Sequence, residues 1–426
     1  MRPLGQKIPR GQLYFEPREV YGALARGVPR ALQRGTRVQE LEWRFAALTG
    51  APRALALPRT RIAVHLILKA LELPEGSRVI MSPVTIPDIV NAVLLAGLRP
   101  VFVDLGVRTC NIDYDALEEA IDTDTSALLI THLCGFPTEM DRVMALAKVH
   151  SLSVIEDCSQ SIGGSWSGQS PGLAGDAGVF SLTTLKPVSS FYGCLMISRK
   201  PELLEKVAEM SATFPPPRAR DLVSVVARDT LFYLVTHPTF FSWGTYYAAR
   251  VLEKLAPVGT QEIQKGNLPL MRFQPSLRRA QWPREMLVQY TDCQANMALP
   301  ALERLPEETA RRAKLATRLY AALRDQGVPG LPVLPEGQSS IYWRCPLWTS
   351  ERDALRAWLT DRFIDTATSG LLCASREEAF SDLAEDTPQA FQFIDEMLLL
   401  PIHPSMTEDD MCDIAEAVGA YFDSRR

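Results

Sequence analysis

The sequence predicts an α/β fold built on a mostly parallel sheet, and three observations carry that prediction. Between Thr36 and Ser198, short apolar runs rich in β-branched residues alternate with longer segments whose apolar residues recur at helical spacing. That alternation is the signature of parallel strands joined by crossover helices. One run, Ser153-Val154-Ile155, is short and apolar, as a strand covered on both faces must be, and it ends on Glu156-Asp157. A Gly-rich loop then leads to a second run, Gly178–Leu182, and Lys186 follows 29 residues after Asp157. Ligands of such sheets sit beyond the carboxyl ends of the strands. An acid and an amine therefore fall where a ligand is expected.

The elements follow in order. Thr36–Leu48 is an amphipathic helix with Val38, Leu41, Phe45 and Leu48 on one face, capped by Gly35 or Thr36. Ala54–Leu57 reads as a strand entering a helix over Ile62–Leu71. Val79–Pro83 is the next strand and Ile89–Ala96 the next helix. Pro100–Asp104 is a strand, Tyr114–Ile121 a helix and Ala127–Thr131 a strand. Thr138 is read as the cap of a helix whose face carries Met140, Val143, Met144 and Ala147. Leu195–Ser198 is the strand after the lysine. Ala298–Leu323 is long helical material, Ile341–Leu347 a strand and Ser350–Phe363 a helix. Thr407 with Asp410 caps a final helix to Phe422. Residues 1–30, rich in Pro and Arg, are read as extended, without a secretory signal.

Composition narrows the function. A chain of 426 residues with 46% apolar and 22% charged content is an ordinary globular protein with ample core. A net charge of −5 argues against nucleic acid as a partner. The eight cysteines form no C-x-x-C pair and no His-Cys cluster with metal spacing, so reduced thiols in a cytoplasmic protein are expected and no metal is.

The chemistry-bearing residues are Asp157, Gln160, Ser181 and Lys186. Pyridoxal phosphate requires a lysine amine to hold its aldehyde, an acid beside its ring nitrogen and donors around its phosphate. Lys186, Asp157 and Ser181 suit these roles, with Gln160 toward the ring hydroxyl. The stretch resembles the DegT/DnrJ/StrS sugar aminotransferases, which belong to the fold-type-I pyridoxal phosphate enzymes. Their pattern runs E-D-x-x-Q, a loop with G-D, then F-S-x-x-x-x-K. Here stand Glu156-Asp157, Gln160, Gly175-Asp176, Phe180-Ser181 and Lys186. Further matches are Val38 to Ala46, Asn111-Ile112-Asp113, His132-Leu133-Cys134-Gly135, Asp292-x-Gln294 and Leu398 to Glu408.

The resemblance implies a fold-type-I aminotransferase that acts as a homodimer. A large cofactor-binding domain would span residues 1–285 and a smaller α+β domain residues 286–426. Three positions depart from the family pattern. Thr60-Arg61 replaces the Gly-Thr that would hold the cofactor phosphate at a helix start, though that start still favours an anion, and Arg59 or Arg61 could pair with it. Ile86 stands where an aromatic would cover the ring, and Leu287 and Gln289 replace an Asn and an Arg.

Between the two matching parts lies an apolar insert, about 205–285. Thr230–Ala249 carries no charged residue over 20 positions, but His237-Pro238 and Gly244 interrupt it. Two short helices broken at His237-Pro238 fit it better than a membrane span. Its aromatic surface suits a dimer interface, a substrate pocket or a peripheral membrane contact.

The implied reaction moves an amino group from an amino acid, glutamate by analogy, to a keto-sugar carried on a nucleotide. The insert keeps a second reading open, an apolar or carrier-linked keto substrate. The altered residues at 60, 61 and 86 keep a third, a non-catalytic relative.

Overall fold

The structure, a computed structural model, describes residues 7–14, 32–248, 251, 276–333 and 338–426. Most of the segment expected to be extended, residues 1–30, and much of the insert lie outside those residues.

Seven strands form one sheet: β1 (Arg53–Leu57), β2 (Arg78–Met81), β3 (Arg99–Phe102), β4 (Thr125–Thr131), β5 (Ser153–Asp157), β6 (Ala177–Ser181) and β7 (Cys194–Ser198). Their spatial order is β1-β7-β6-β5-β4-β2-β3. The run from β6 to β3 is parallel, and β7 is antiparallel to both of its neighbours. A reversed strand needs no crossover helix. The β6–β7 connection therefore stays at the carboxyl end of β6, and it carries Lys186.

The helices are α1 (Thr36–Thr49), α2 (Thr60–Ala70), α3 (Pro87–Leu95), α4 (Tyr114–Ala120), α5 (Met140–His150), α6 (Pro201–Ala212), α7 (Ala219–Thr236), α8 (Asp292–Asp325), α9 (Arg352–Asp361), α10 (Pro388–Glu396) and α11 (Glu408–Asp423). Alternate residues of the strands point to opposite faces, and both faces are covered. Ile155 and Val179 pack with residues of α2, α3 and α6. Val154 and Leu128 face α4 and α5. Phe180 and Leu195 meet α1 and α8, with the Phe45 and Phe180 rings edge to face at 5.0 Å. Each such side chain, fully buried, contributes roughly 1.5–3 kcal/mol. The C-terminal part has its own core around β8 (Cys345–Trp348) paired antiparallel with β9 (Met397–Leu400). All eight cysteines are free thiols.

Several boundaries differ from the sequence reading for identifiable reasons. Helix α8 starts at Asp292, six residues before its expected start, because Thr291 and Gln294 form a reciprocal capping box. It then passes through Pro300 and Pro306 to Asp325. Asp292 also accepts the Gly35 and Val38 backbone N–H groups, each at 3.0 Å, so a distant carboxylate caps α1. Thr138 does not cap α5. Its N–H donates to His132 Nδ1 at 2.9 Å and its hydroxyl to Asn111 Oδ1 at 3.1 Å. The insert breaks at His237-Pro238 as expected, but its first helix is long, beginning at Ala219. Among the described residues no helix is long and apolar enough to cross a membrane. Thr407 and Asp410 form the capping box of α11.

Candidate active site

Lys186 is 8% exposed and faces a cavity of about 850 Å³ beyond the carboxyl ends of β5 and β6. Its Nζ lies 3.6 Å from the centre of the Trp343 ring. Burial, and after it the Arg344 charge, lowers the pKa of its amine to about 7 against the opposing pull of the Asp157 carboxylate. An amine so tuned exchanges protons readily at neutral pH. Tryptophan 343 is itself fixed, donating from Nε1 to the Leu185 carbonyl at 3.2 Å.

Asp157 ends β5, with its neighbour Glu156 facing the other way. Asp157 Oδ1 accepts the Ser159 N–H at 2.9 Å, and its other oxygen takes no hydrogen bond from the described residues. Glu156, fully buried, accepts from the backbone N–H groups of Gly172, Ala174 and Gly175 at 2.8–2.9 Å. His132 adds a fourth contact. Because Thr138 N–H donates to Nδ1, His132 presents Nε2–H to Glu156 Oε2 at 3.1 Å. Burial pushes the Glu156 pKa up, but His132 and these backbone donors overcome it and hold the carboxylate below its ordinary range. His132 and Glu156, which lie close to Cys158, therefore form a clasp for the Gly-rich loop, and both carboxylate oxygens are already committed to these donors. That loop approaches β6 closely. Gly172 adopts φ +86°, and a Cβ on Gly178 would collide with its backbone.

The other expected residues distribute as follows. Gln160, Arg61 and Ile86 line the cavity with Lys186, whereas Asp157, Ser181 and Thr60 are not on the lining. Gln160 Oε1 accepts the Cys134 N–H at 2.8 Å, which turns its amide NH₂ elsewhere. Ser181 ends β6 and its hydroxyl meets that of Thr183 at 3.2 Å. Thr60 is the first residue of α2, and its buried hydroxyl has no hydrogen-bond partner among the described residues, although the Cys194 thiol lies beside it. The backbone N–H groups of Thr60 and Arg61 belong to the helix's first turn, which has no intrahelical acceptors for them. Arg61 itself is turned aside: its guanidinium pairs with Asp88, which Arg279 also holds at 2.5 Å. Arg59 stays at the cavity, 4.3 Å over the Tyr192 ring, and burial followed by Arg61 lowers its pKa to about 10. Leu287 and Gln289 do not line the cavity.

Sequence reasoning missed three contributors. Trp343 and Arg344 fall within the expected strand Ile341–Leu347, whereas β8 begins at Cys345, and no local motif marks them. Arg344 stacks on Trp343 at 4.2 Å, lines the cavity and has no carboxylate partner among the described residues. Asp229, on α7, is the third. It is 1% exposed, accepts the Thr184 hydroxyl at 2.5 Å and pairs with Arg228 at 2.7 Å. This fastens the insert two residues before the lysine. Tyr246 fastens it a second time, donating to the Thr360 carbonyl at 2.6 Å.

Comparison with known proteins agrees with this architecture. The sequence pattern of the DegT/DnrJ/EryC1/StrS aminotransferase family matches residues 23–215 and 282–419. The spore coat polysaccharide biosynthesis protein SpsC of Bacillus subtilis is 27% identical over 400 residues, covering 91% of this chain and 90% of SpsC. Among solved structures, the fold is shared with DesV of S. venezuelae (TM-score 0.73, 23% identity, 97% of this chain and 98% of that one). It is shared equally with DesI (TM-score 0.71, 21% identity, 99% and 97%). The chain belongs to the DegT/DnrJ/EryC1/StrS family, whose members are pyridoxal-phosphate-dependent aminotransferases.

Proposed function

We propose that the protein transfers the amino group of an amino acid, glutamate in the simplest reading, to a keto-sugar. The observation that carries this reading is Lys186: a buried amine with a pKa near 7, facing a cavity at the carboxyl edge of a parallel sheet.

The residues present fit pyridoxal phosphate. A partnerless buried hydroxyl on Thr60, two unused N–H groups at the start of α2 and the Ser181 hydroxyl suit its phosphate. Asp157 has an uncommitted oxygen for the ring nitrogen, and Gln160 an uncommitted NH₂ for the ring hydroxyl. Lys186 would hold the aldehyde, with Ile86 against the ring. When bound, the cofactor supplies an electron sink for the carbon that loses its proton. The chain does the rest. Lys186 Nζ takes and returns that proton, its neutral form favoured by burial and by Arg344. The Asp157 carboxylate holds the positive charge of the ring nitrogen. The Arg344 guanidinium, lacking an acid of its own, supports a donor that carries a carboxylate.

The sugar acceptor draws support from the polysaccharide role in the name of SpsC and from DesI, whose structure was obtained in the presence of its TDP-sugar product. A nucleotide carrier and a cytoplasmic homodimer complete the reading. The decisive experiment follows the two half-reactions separately. L-Glutamate should convert the holoenzyme spectroscopically, and Arg344→Gln should raise the glutamate KM about 100-fold while a primary amine without a carboxylate reacts unchanged. A holoenzyme inert to every amino acid contradicts the reading.

A further inference from the structure

We infer that the cavity beyond Lys186 contains a subsite for an apolar chain carried by the keto acceptor, and that the insert builds it. The inference rests on the aminotransferase reading and extends it to the acceptor's chemistry. Residues 216–281 lie between the two segments that match the family pattern, so this wall is built from residues outside that pattern. Helix α7 presents Val225, Phe232, Val235 and Thr236 to the cavity at helical spacing, with Phe241 continuing the stripe beyond the break at Pro238. Leu371 and Leu399 line the same cavity from the C-terminal part. The contacts of Asp229 with Thr184 and of Tyr246 with Thr360 hold this wall in place at both ends.

Size and chemistry point the same way. At about 850 Å³ the cavity is near the top of the range, roughly 300–1,000 Å³, of small-molecule sites. Lys186, Arg59 and Arg344 bring charge to the lining, which suits the reacting keto group and charged substituents, and Arg10, Arg356 and Asp365 add polar groups from elsewhere in the chain. On α7 the polar groups are already committed, Arg228 to Asp229 and the Thr236 hydroxyl to the Phe232 carbonyl at 2.8 Å, which leaves Val225, Phe232 and Val235 as its apolar face to the cavity. Hydroxyl-rich ligands would leave their donors unmatched against such a surface. An acyl or polyprenyl chain would not.

The test uses holoenzyme and a series of n-alkyl β-D-glucopyranosides from butyl to octyl, all below micellar concentrations, with calorimetry as the readout. Each buried methylene should tighten binding about three- to fourfold, so the series should climb steeply in the native protein. Val225→Trp fills the subsite with apolar volume and should flatten the series. Leu234→Trp and Trp243→Gln, on the exposed outer face of the insert, should keep it. A flat series in the native protein overturns the inference. So does a slope that survives Val225→Trp, or one lost in Trp243→Gln, which would place the chain on the outer surface. Conversion of the native holoenzyme by L-glutamate, measured in parallel, tells a failed subsite from a failed aminotransferase reading.

Discussion

Two regions meet at the cavity and differ in how they are built. The stretch from Asp157 to Lys186 is fixed by the sheet: its side chains hang from the ends of β5 and β6, and the Glu156 clasp holds the loop between them. The insert around α7 is a separate layer, fastened through Asp229 and Tyr246. The first region carries groups that chemistry dictates and matches the family pattern. The second carries mostly carbon and falls outside that pattern. The proposed function and the inferred subsite divide the labour between them: the sheet sets the reaction, and the added layer shapes what enters.

The sharpest way to break this comparison is to remove the amine. Lys186→Ala should cut transamination about 10⁴-fold, the range for a lost proton-transfer group, while circular dichroism stays native. Asp157→Asn should cost about 10²–10³-fold in kcat, as loss of one charge-stabilising group does. If either variant kept native turnover, the sheet-borne region would not be the reaction centre.

The insert should respond in stability. Asp229→Ala removes charge-assisted hydrogen bonds from a buried site and should lower unfolding stability by about 2 kcal/mol in urea titrations. An unchanged midpoint would mean that α7 is held some other way. Glu156→Gln sharpens the same contrast through pH. The folded Glu156 pKa lies below its ordinary 4.5, so its contribution is full above that value and fades as pH falls through the folded one. The stability gap between native protein and Glu156→Gln should therefore be widest at neutral pH and narrow below about 4.5. The smallest effect concerns the amine's tuning. In cofactor-free protein, acylation of Lys186 should have its midpoint near pH 7, and Arg344→Gln should move it upward by about one pH unit, because a positive neighbour is lost.

The sheet was legible because strand periodicity, turn glycines and the Asp157–Lys186 order are all local signals. The start of α2 was legible only in part. Its helix terminus could be expected, but the capture of Arg61 by Asp88, with Arg279 on the same carboxylate, depends on residues 27 and 191 positions from Asp88. Trp343 and Arg344 were hidden for a similar reason. Their stretch has a strand's composition, and only the tertiary fold brings it over Lys186. The break in the insert was readable from His237-Pro238, but which way its apolar face turns was not, since α7 is apolar on its exposed side too, with Val223, Leu231 and Leu234.

The most direct test of the central claim is where the cofactor attaches. The holoenzyme is treated with borohydride, digested and mapped by mass spectrometry. A phosphopyridoxyl mass on Lys186, absent from every other lysine, is the expected result. Its appearance on a different lysine, or on none in protein that binds pyridoxal phosphate, would contradict the account.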